Sequence, residues 1–453
     1  MSSSSSGRHR KQDTGEHAPV LAPGTEDVLA QPQPEPVPTH RGARHSARPR
    51  PGRRSPWNRR RDRVAAALLT VLAVTAGVVV WTFSDSRATT QETAPPPPAL
   101  PAAPDSVPAQ LTERWRAPSE ATPVPVAEGA SAVTASGGEV VGRDPLTGEQ
   151  RWRYARDLRL CTVGGAWGRV LAVYRKDTGC SEVTQLDPGT GRRTAQRNGD
   201  AELGTRLVAD SGHVTTTGEH LLNTWRNDLV KSMEYGRVYG LVNPDRQPRT
   251  GCSYSSVAAA SGRVGVIERC PGENADRLTV LVAAGEEADE PEEEFSNLLP
   301  GVRGTLVAMS GESVAVAMPD TGRLVVFDFE GRQRAAYPVD VPAAELARAP
   351  QRVVPTSTGG ENLYWFTGSR TMALSRDDLA PRWSVTGTLG PGTVFAGQYV
   401  VPIEGGLAVV DEATGDTLRT VAVDRHGYEG PVRLAAVGPV LLEQRGDTLV
   451  GLR

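Results

Sequence analysis

A phrase that repeats along the chain constrains its fold more than any other feature. VVGRDPLTGEQRW at 140–152, VTQLDPGTGRRTA at 183–195 and LAVVDEATGDTLR at 407–419 each run from an apolar strand into Asp. A turn closing on Thr-Gly follows, and then a second strand. Such self-similarity marks one supersecondary unit used repeatedly, a unit that must stack on its neighbours to bury its apolar faces. In the turn, Asp hydrogen-bonds backbone two residues on, Pro presets φ, and Gly supplies the positive φ that closes it. Asp144, Asp187 and Asp411, with Gly148, Gly191 and Gly415, therefore read as structural turn formers. A calcium site would need oxygen donors converging on one point, whereas these turns lie roughly 40 residues or more apart.

Degenerate copies fill the intervals: HLLNTWRNDL at 220–229, RLTVLVAAGEE at 277–287, RLVVFDFEGRQRA at 323–335 and TMALSRDDLAPRW at 371–383. Aligning Asp144 with Ser375 sets Trp152 opposite Trp383. A tandem array rich in Val, Gly and Thr, with little helical periodicity, predicts an all-β fold, a β-propeller. The chain stops at DTLVGLR, 447–453, where the turn and outer strand of a repeat should follow, and the array begins with LTERW, 111–115, which matches the missing part. Joining the two ends closes a ring without an open sheet edge. Counting that composite blade gives eight, with seven as the alternative.

The Asp-Pro-x-Thr-Gly turn followed by a Trp resembles the repeat of the pyrroloquinoline-quinone-like (PQQ-like) β-propellers over residues 111–453, most fully at 144–152. That class spans quinone-dependent dehydrogenases, membrane-protein assembly scaffolds and anchored envelope proteins, so the resemblance implies a fold and not an activity. For a quinone enzyme it implies an adjacent Cys pair, a calcium held by carboxylate and amide groups, and an Asp base. This chain has no adjacent Cys pair. The expectation is no bound cofactor and no catalysis.

Ahead of the repeats, Val64 to Phe83 is a run of twenty residues without a formal charge, long enough at 1.5 Å per residue to cross the hydrocarbon core. Nine Arg fall in the twenty residues before it and one, Arg87, in the twenty after. The positive-inside rule then predicts a single-pass anchor in the cell membrane with residues 1–63 cytoplasmic and the propeller outside. A cleaved signal peptide would have a shorter apolar core and a shorter charged region.

Residues 1–63, with Ser2 to Ser6 in a run, QPQPEPVP at 31–38 and 13 Lys or Arg against 6 Asp or Glu, predict a disordered basic tail. Basic residues beside a span serve topology and anionic lipid, so no nucleic-acid partner is expected. Residues 84–110, with PPPP at 95–98, read as a semi-rigid extracytoplasmic linker holding the propeller clear of the membrane. The acidic run EEADEPEEE at 286–294 reads as a solvated loop. Three Lys against 47 Arg, with abundant Ala, Gly, Pro and Val, suggests a bacterium of high genomic GC content, an actinobacterium among the candidates.

All four cysteines lie in the repeats. Cys161 with Cys180 and Cys252 with Cys270 bracket two segments of matching layout, each a strand, a turn and a second strand. Antiparallel hairpins bring such positions together, so each pair is expected to form a disulfide within its own blade. Zinc sites use shorter paired spacings that are missing here.

Catalytic signatures are few. His213, His220 and His426 are the only histidines outside the tail, and no Gly-x-Ser-x-Gly elbow occurs. Trp115, Trp152 and Trp383 occupy equivalent repeat positions and so read as packing between blades, whereas Trp167, Trp225, Trp365 and Tyr428 are candidate binding-face aromatics. The functional expectation is a binding or scaffolding module of the cell envelope whose partner is an extracytoplasmic protein or envelope ligand. The alternatives are a sensor signalling to the tail and, less favoured, a quinone-dependent oxidoreductase.

Overall fold

Each Asp-x-x-Thr-Gly turn joins the third and fourth strands of an antiparallel blade, and the chain forms eight such sheets, seven of four strands and one extended by a fifth. The computed structural model describes residues 59–82, 84, 87–240, 245–346 and 353–453, so the expected tail lies outside the described residues as far as position 58. Blades 1 to 7 cover 126–156, 160–201, 207–236, 253–298, 305–338, 356–386 and 393–422. Blade 8 takes three strands from 432–452 and its outer strand, Glu113–Pro118, from the other end of the repeat array. The ring is an all-β, eight-bladed propeller.

Closure is made by backbone. Glu113 stands opposite Leu452 and Pro118 opposite Thr448, and Thr112 and Arg453 exchange N–H···O bonds at 3.0 Å in both directions. Leu111 is buried in the apolar cluster between blades 7 and 8. The expected composite blade is therefore present, with its paired strand running three residues beyond the Trp115 at which the match ended.

At three blade boundaries the repeat turn also welds a blade to the one before it. Asp144 Oδ1 accepts from the Leu146 amide at 2.8 Å, Asp187 Oδ1 from Gly189 at 3.1 Å, and Asp411 Oδ1 from Ala413 at 2.9 Å. Gly148, Gly191 and Gly415 hold φ of 75°, 72° and 82°. A Cβ on any of them would lie 2.5–2.7 Å from the indole of Trp115, Trp152 or Trp383. Each indole Nε1–H donates across the blade boundary, to Pro145 O at 2.8 Å, Pro188 O at 2.7 Å and Glu412 O at 3.1 Å. In blade 5 the ring under Gly331 is Phe295, which keeps the stacking and lacks the donor.

Both expected disulfides form. Cys252–Cys270 closes the first hairpin of blade 4, as the spacing predicts. Cys161–Cys180 instead links the first strand of blade 2 to the third, past the end of the second. A bulge between Leu160 and Thr162 frees Cys161 for this reach.

The stretch expected to be a spacer does not extend freely. Thr89–Glu92 pairs antiparallel with Gln150–Arg156 as a fifth strand of blade 1. Beyond it the Ala94 amide donates to Thr190 O at 3.0 Å, Pro97 faces Gly189, and Leu100 faces Gly438 of blade 8. Val107, 2% exposed, is buried among blade 7 and 8 residues; its amide donates to Gln398 Oε1 at 3.0 Å and its carbonyl accepts from Arg419. Proline composition set the expectation of an extended chain; apolar residues between the prolines supply the contacts that tie it down.

A helix runs from Arg60 to Thr82, four residues earlier than the uncharged stretch begins. Asp62 Oδ2 accepts from the Arg59 amide at 3.2 Å, and this first-turn acid favours that start. Its Val and Leu side chains are exposed all round. By length and composition it is a candidate membrane span.

Candidate functional site: the axis of the ring

First strands of a propeller line its axis, and small side chains let them converge. In blades 3 to 6 they enclose a recess of about 560 Å³ walled by Val208, Ala258, Ala259, Val307, Ala308 and Val354. Its rim is made of first-hairpin turns carrying Asp210, Ser211, Ser261 and Gly311, with Arg376 from an outer turn. The rim is pinned: Asp210 Oδ2 accepts from the Gly262 amide of the next blade at 2.8 Å, and Arg376 donates to Gly360 O at 3.1 Å. A wall of small side chains that leaves polar backbone accessible, with a fixed polar mouth, suits capture of a ligand or a partner's loop.

The opposite face, which carries the second-to-third-strand turns, has its own cleft between blades 7 and 8. It measures about 650 Å³ and is lined by Glu404, Asp424, Arg425, Tyr428 and Glu429. Arg425 is neutralised from below by Glu443 at 2.9 Å and by the carbonyls of Ile403 and Gly406 at 2.7 and 2.9 Å. Tyr428 donates its hydroxyl to Pro431 O at 2.8 Å.

The four candidate aromatics do not converge. Trp225 and Trp365 are buried in apolar clusters, so neither belongs to a binding face. Trp167 sits at a first-hairpin turn with φ 55° and packs partly into the blade 2 cluster, while Tyr428 lies on the other face. Spacing marks aromatic positions but not which way a strand presents them.

Cys252, Glu268 and Cys270 gather within 4.8 Å of one another, a grouping with metal-ligand composition. The two sulfurs are joined, however, and so are not thiolates available to an ion. Burial raises the Glu268 pKa against the pull of Tyr235 and Arg249, which hydrogen-bond to the carboxyl, Arg249 at 3.0 Å. His213 approaches Asp210, His220 bonds Cys252 O at 2.9 Å, and His426 faces Asp424 and Glu113; they share no centre.

No protein-family model matches the chain, and no curated protein matches it. Among solved structures it is similar to BamB from Moraxella catarrhalis, at 15% identity and TM-score 0.45 over 76% of this chain and 99% of that one. It is likewise similar to the computationally designed Ika8 protein, at 15% and 0.49 over 76% and 98%. A third is dihydro-heme d1 dehydrogenase NirN in complex with DHE, at 14% and 0.47 over 78% and 72%. Likenesses this distant carry no inference about ligand or activity.

Proposed function

We propose that this chain is a membrane-anchored, non-catalytic binding module of the cell envelope that receives a ligand or a partner's loop in the axial recess of its propeller. The observation that carries this reading is the recess itself, about 560 Å³ walled by small side chains behind a pinned polar rim. Its volume lies in the range of ligand sites. In this reading the helix Arg60–Thr82 is the anchor, and the excess of Arg before it supports a cytoplasmic segment 1–63 and an external ring. Because the ring is fixed by backbone closure and indole clamps, it offers a rigid frame for rim turns that differ in sequence from blade to blade.

The test is site-specific photo-crosslinking in intact cells. A photoreactive residue at Ser261, on the rim, should give one reproducible adduct, whereas the same residue at Arg197, on the outer strand of blade 2, should not. Equal labelling from both positions, or none from Ser261, contradicts the reading.

A further inference from the structure

Three arginines, Arg425, Arg433 and Arg445, lie in blade 8 or the loop leading into it, and two of them are neutralised. Arg425 meets Glu443 at 2.9 Å, and Arg445 meets the same carboxylate at 2.7 Å. Arg433 is different. It lies on the first strand of blade 8, Val432–Val437, next to the residue whose amide bonds the Leu389 carbonyl of the preceding loop. Its Nη1 is buried without a hydrogen-bond partner. Among the described residues no carboxylate pairs with it. Its neighbour is the ring of Phe366 in blade 6, with the guanidinium carbon 5.7 Å from the ring centroid.

A half-buried guanidinium given no counter-charge is costly, and burial pushes the Arg433 pKa down to about 10. Phe366 lies over one face of the planar group in a cation–π contact; Nη1 is closed off and unpaired, and Nε and Nη2, which are not closed off, have no hydrogen-bond partner either. The Nε–Nη2 edge matches an oxyanion two-pronged.

We propose that Arg433 is the anchor of an oxyanion-binding site at the start of the first strand of blade 8, taking a carboxylate or a phosphate on its unpaired Nε–Nη2 edge with Phe366 behind the guanidinium. This site is separate from the recess in blades 3 to 6 and stands whether or not that recess holds a partner.

The test uses the full-length chain in detergent and follows thermal unfolding by tryptophan fluorescence. Inorganic phosphate and acetate are titrated separately at constant ionic strength set with chloride. The unfolding midpoint of the wild type should rise saturably with one or both anions, and which one does so identifies phosphate or carboxylate as the chemistry. In Arg433→Met the response should be lost, with apparent affinity at least about tenfold weaker. The same variant in chloride alone should melt higher than wild type, because the unpaired charge is gone. Arg433→Lys, which keeps the charge without the planar fork, serves if the Met variant fails to fold, and should respond more weakly than wild type. A wild type insensitive to both anions, or an Arg433 variant with an unaltered response, overturns the proposal.

Discussion

The indole Nε1–H of Trp152 in blade 1 donates to the Pro188 carbonyl in blade 2 at 2.7 Å, and the same ring covers Gly191. Two levels of organisation meet at this contact: the turn that closes a hairpin also supplies the surface on which the previous blade rests. Asp187 shapes the turn, Gly191 admits the ring, and Trp152 closes the gap between sheets.

Substitution at this joint separates its parts. Gly191→Ala places a Cβ 2.7 Å from the indole at a φ of 72°, and should destabilise the ring by about 1–3 kcal/mol in equilibrium denaturation. Trp152→Phe keeps most of the stacking but orphans the Pro188 carbonyl, and should cost about 1–3 kcal/mol. A Gly191→Ala variant as stable as wild type would mean that neighbouring blades are not held through the turn.

The disulfides make a second test. Non-reducing peptide mapping should recover Cys161 joined to Cys180 and Cys252 joined to Cys270. Replacing either pair by alanine should cost about 3 kcal/mol, given loops of 19 and 18 residues. Cross-paired peptides would disprove the blade register.

The tethered stretch between Ala94 and Gln110, a strap across the ring, makes a third. Val107→Asp puts a charge in the cluster shared by blades 7 and 8, and should loosen residues 93–110. Limited proteolysis should then cleave within that stretch sooner than in wild type. Equal cleavage rates would return the segment to the spacer that its proline content suggests.

Acid should weaken the ring through its turn aspartates. Amides of Thr414 and Ala413 hold Asp411 below the usual carboxylate range. At Asp328 desolvation opposes ionisation, but the Arg332 amide and the Arg332 and Arg334 guanidiniums outweigh it and lower the pKa. A carboxylate with a lowered folded pKa contributes stability that is present above its unfolded value, about 4, and is lost as pH falls through the folded one. The unfolding midpoint should therefore fall as pH drops below about 4, and less steeply in Asp411→Asn. A midpoint that rises on acidification over that range would contradict this.

Much of the ring was legible because each repeat demands a particular residue at a particular place. Asp144, Gly148 and Trp152 announce their roles by type and spacing, and the half-repeats at 111–115 and 447–453 predict their own union. Phe295 was missed as a clamp because it keeps the shape of the contact while losing the signature Trp. The strap was misread because Val107 and Gln398 are 291 residues apart, a contact no local pattern encodes. Trp225 and Trp365 were taken for binding surface because aromatic content does not reveal which side of a strand faces a neighbouring blade. Arg433 carries no sequence signal at all: its significance is a missing counter-charge, which only the assembled ring defines.

The axial recess is the core of the functional account, and filling it is the most direct test. Ala259→Arg projects a long side chain into the wall without touching the closure strand or the indole clamps. With the photoreactive residue kept at Ser261, the account predicts that the adduct formed in intact cells disappears in Ala259→Arg while the thermal unfolding midpoint stays close to that of the parent. An undiminished adduct on a folded, recess-filled ring would contradict it.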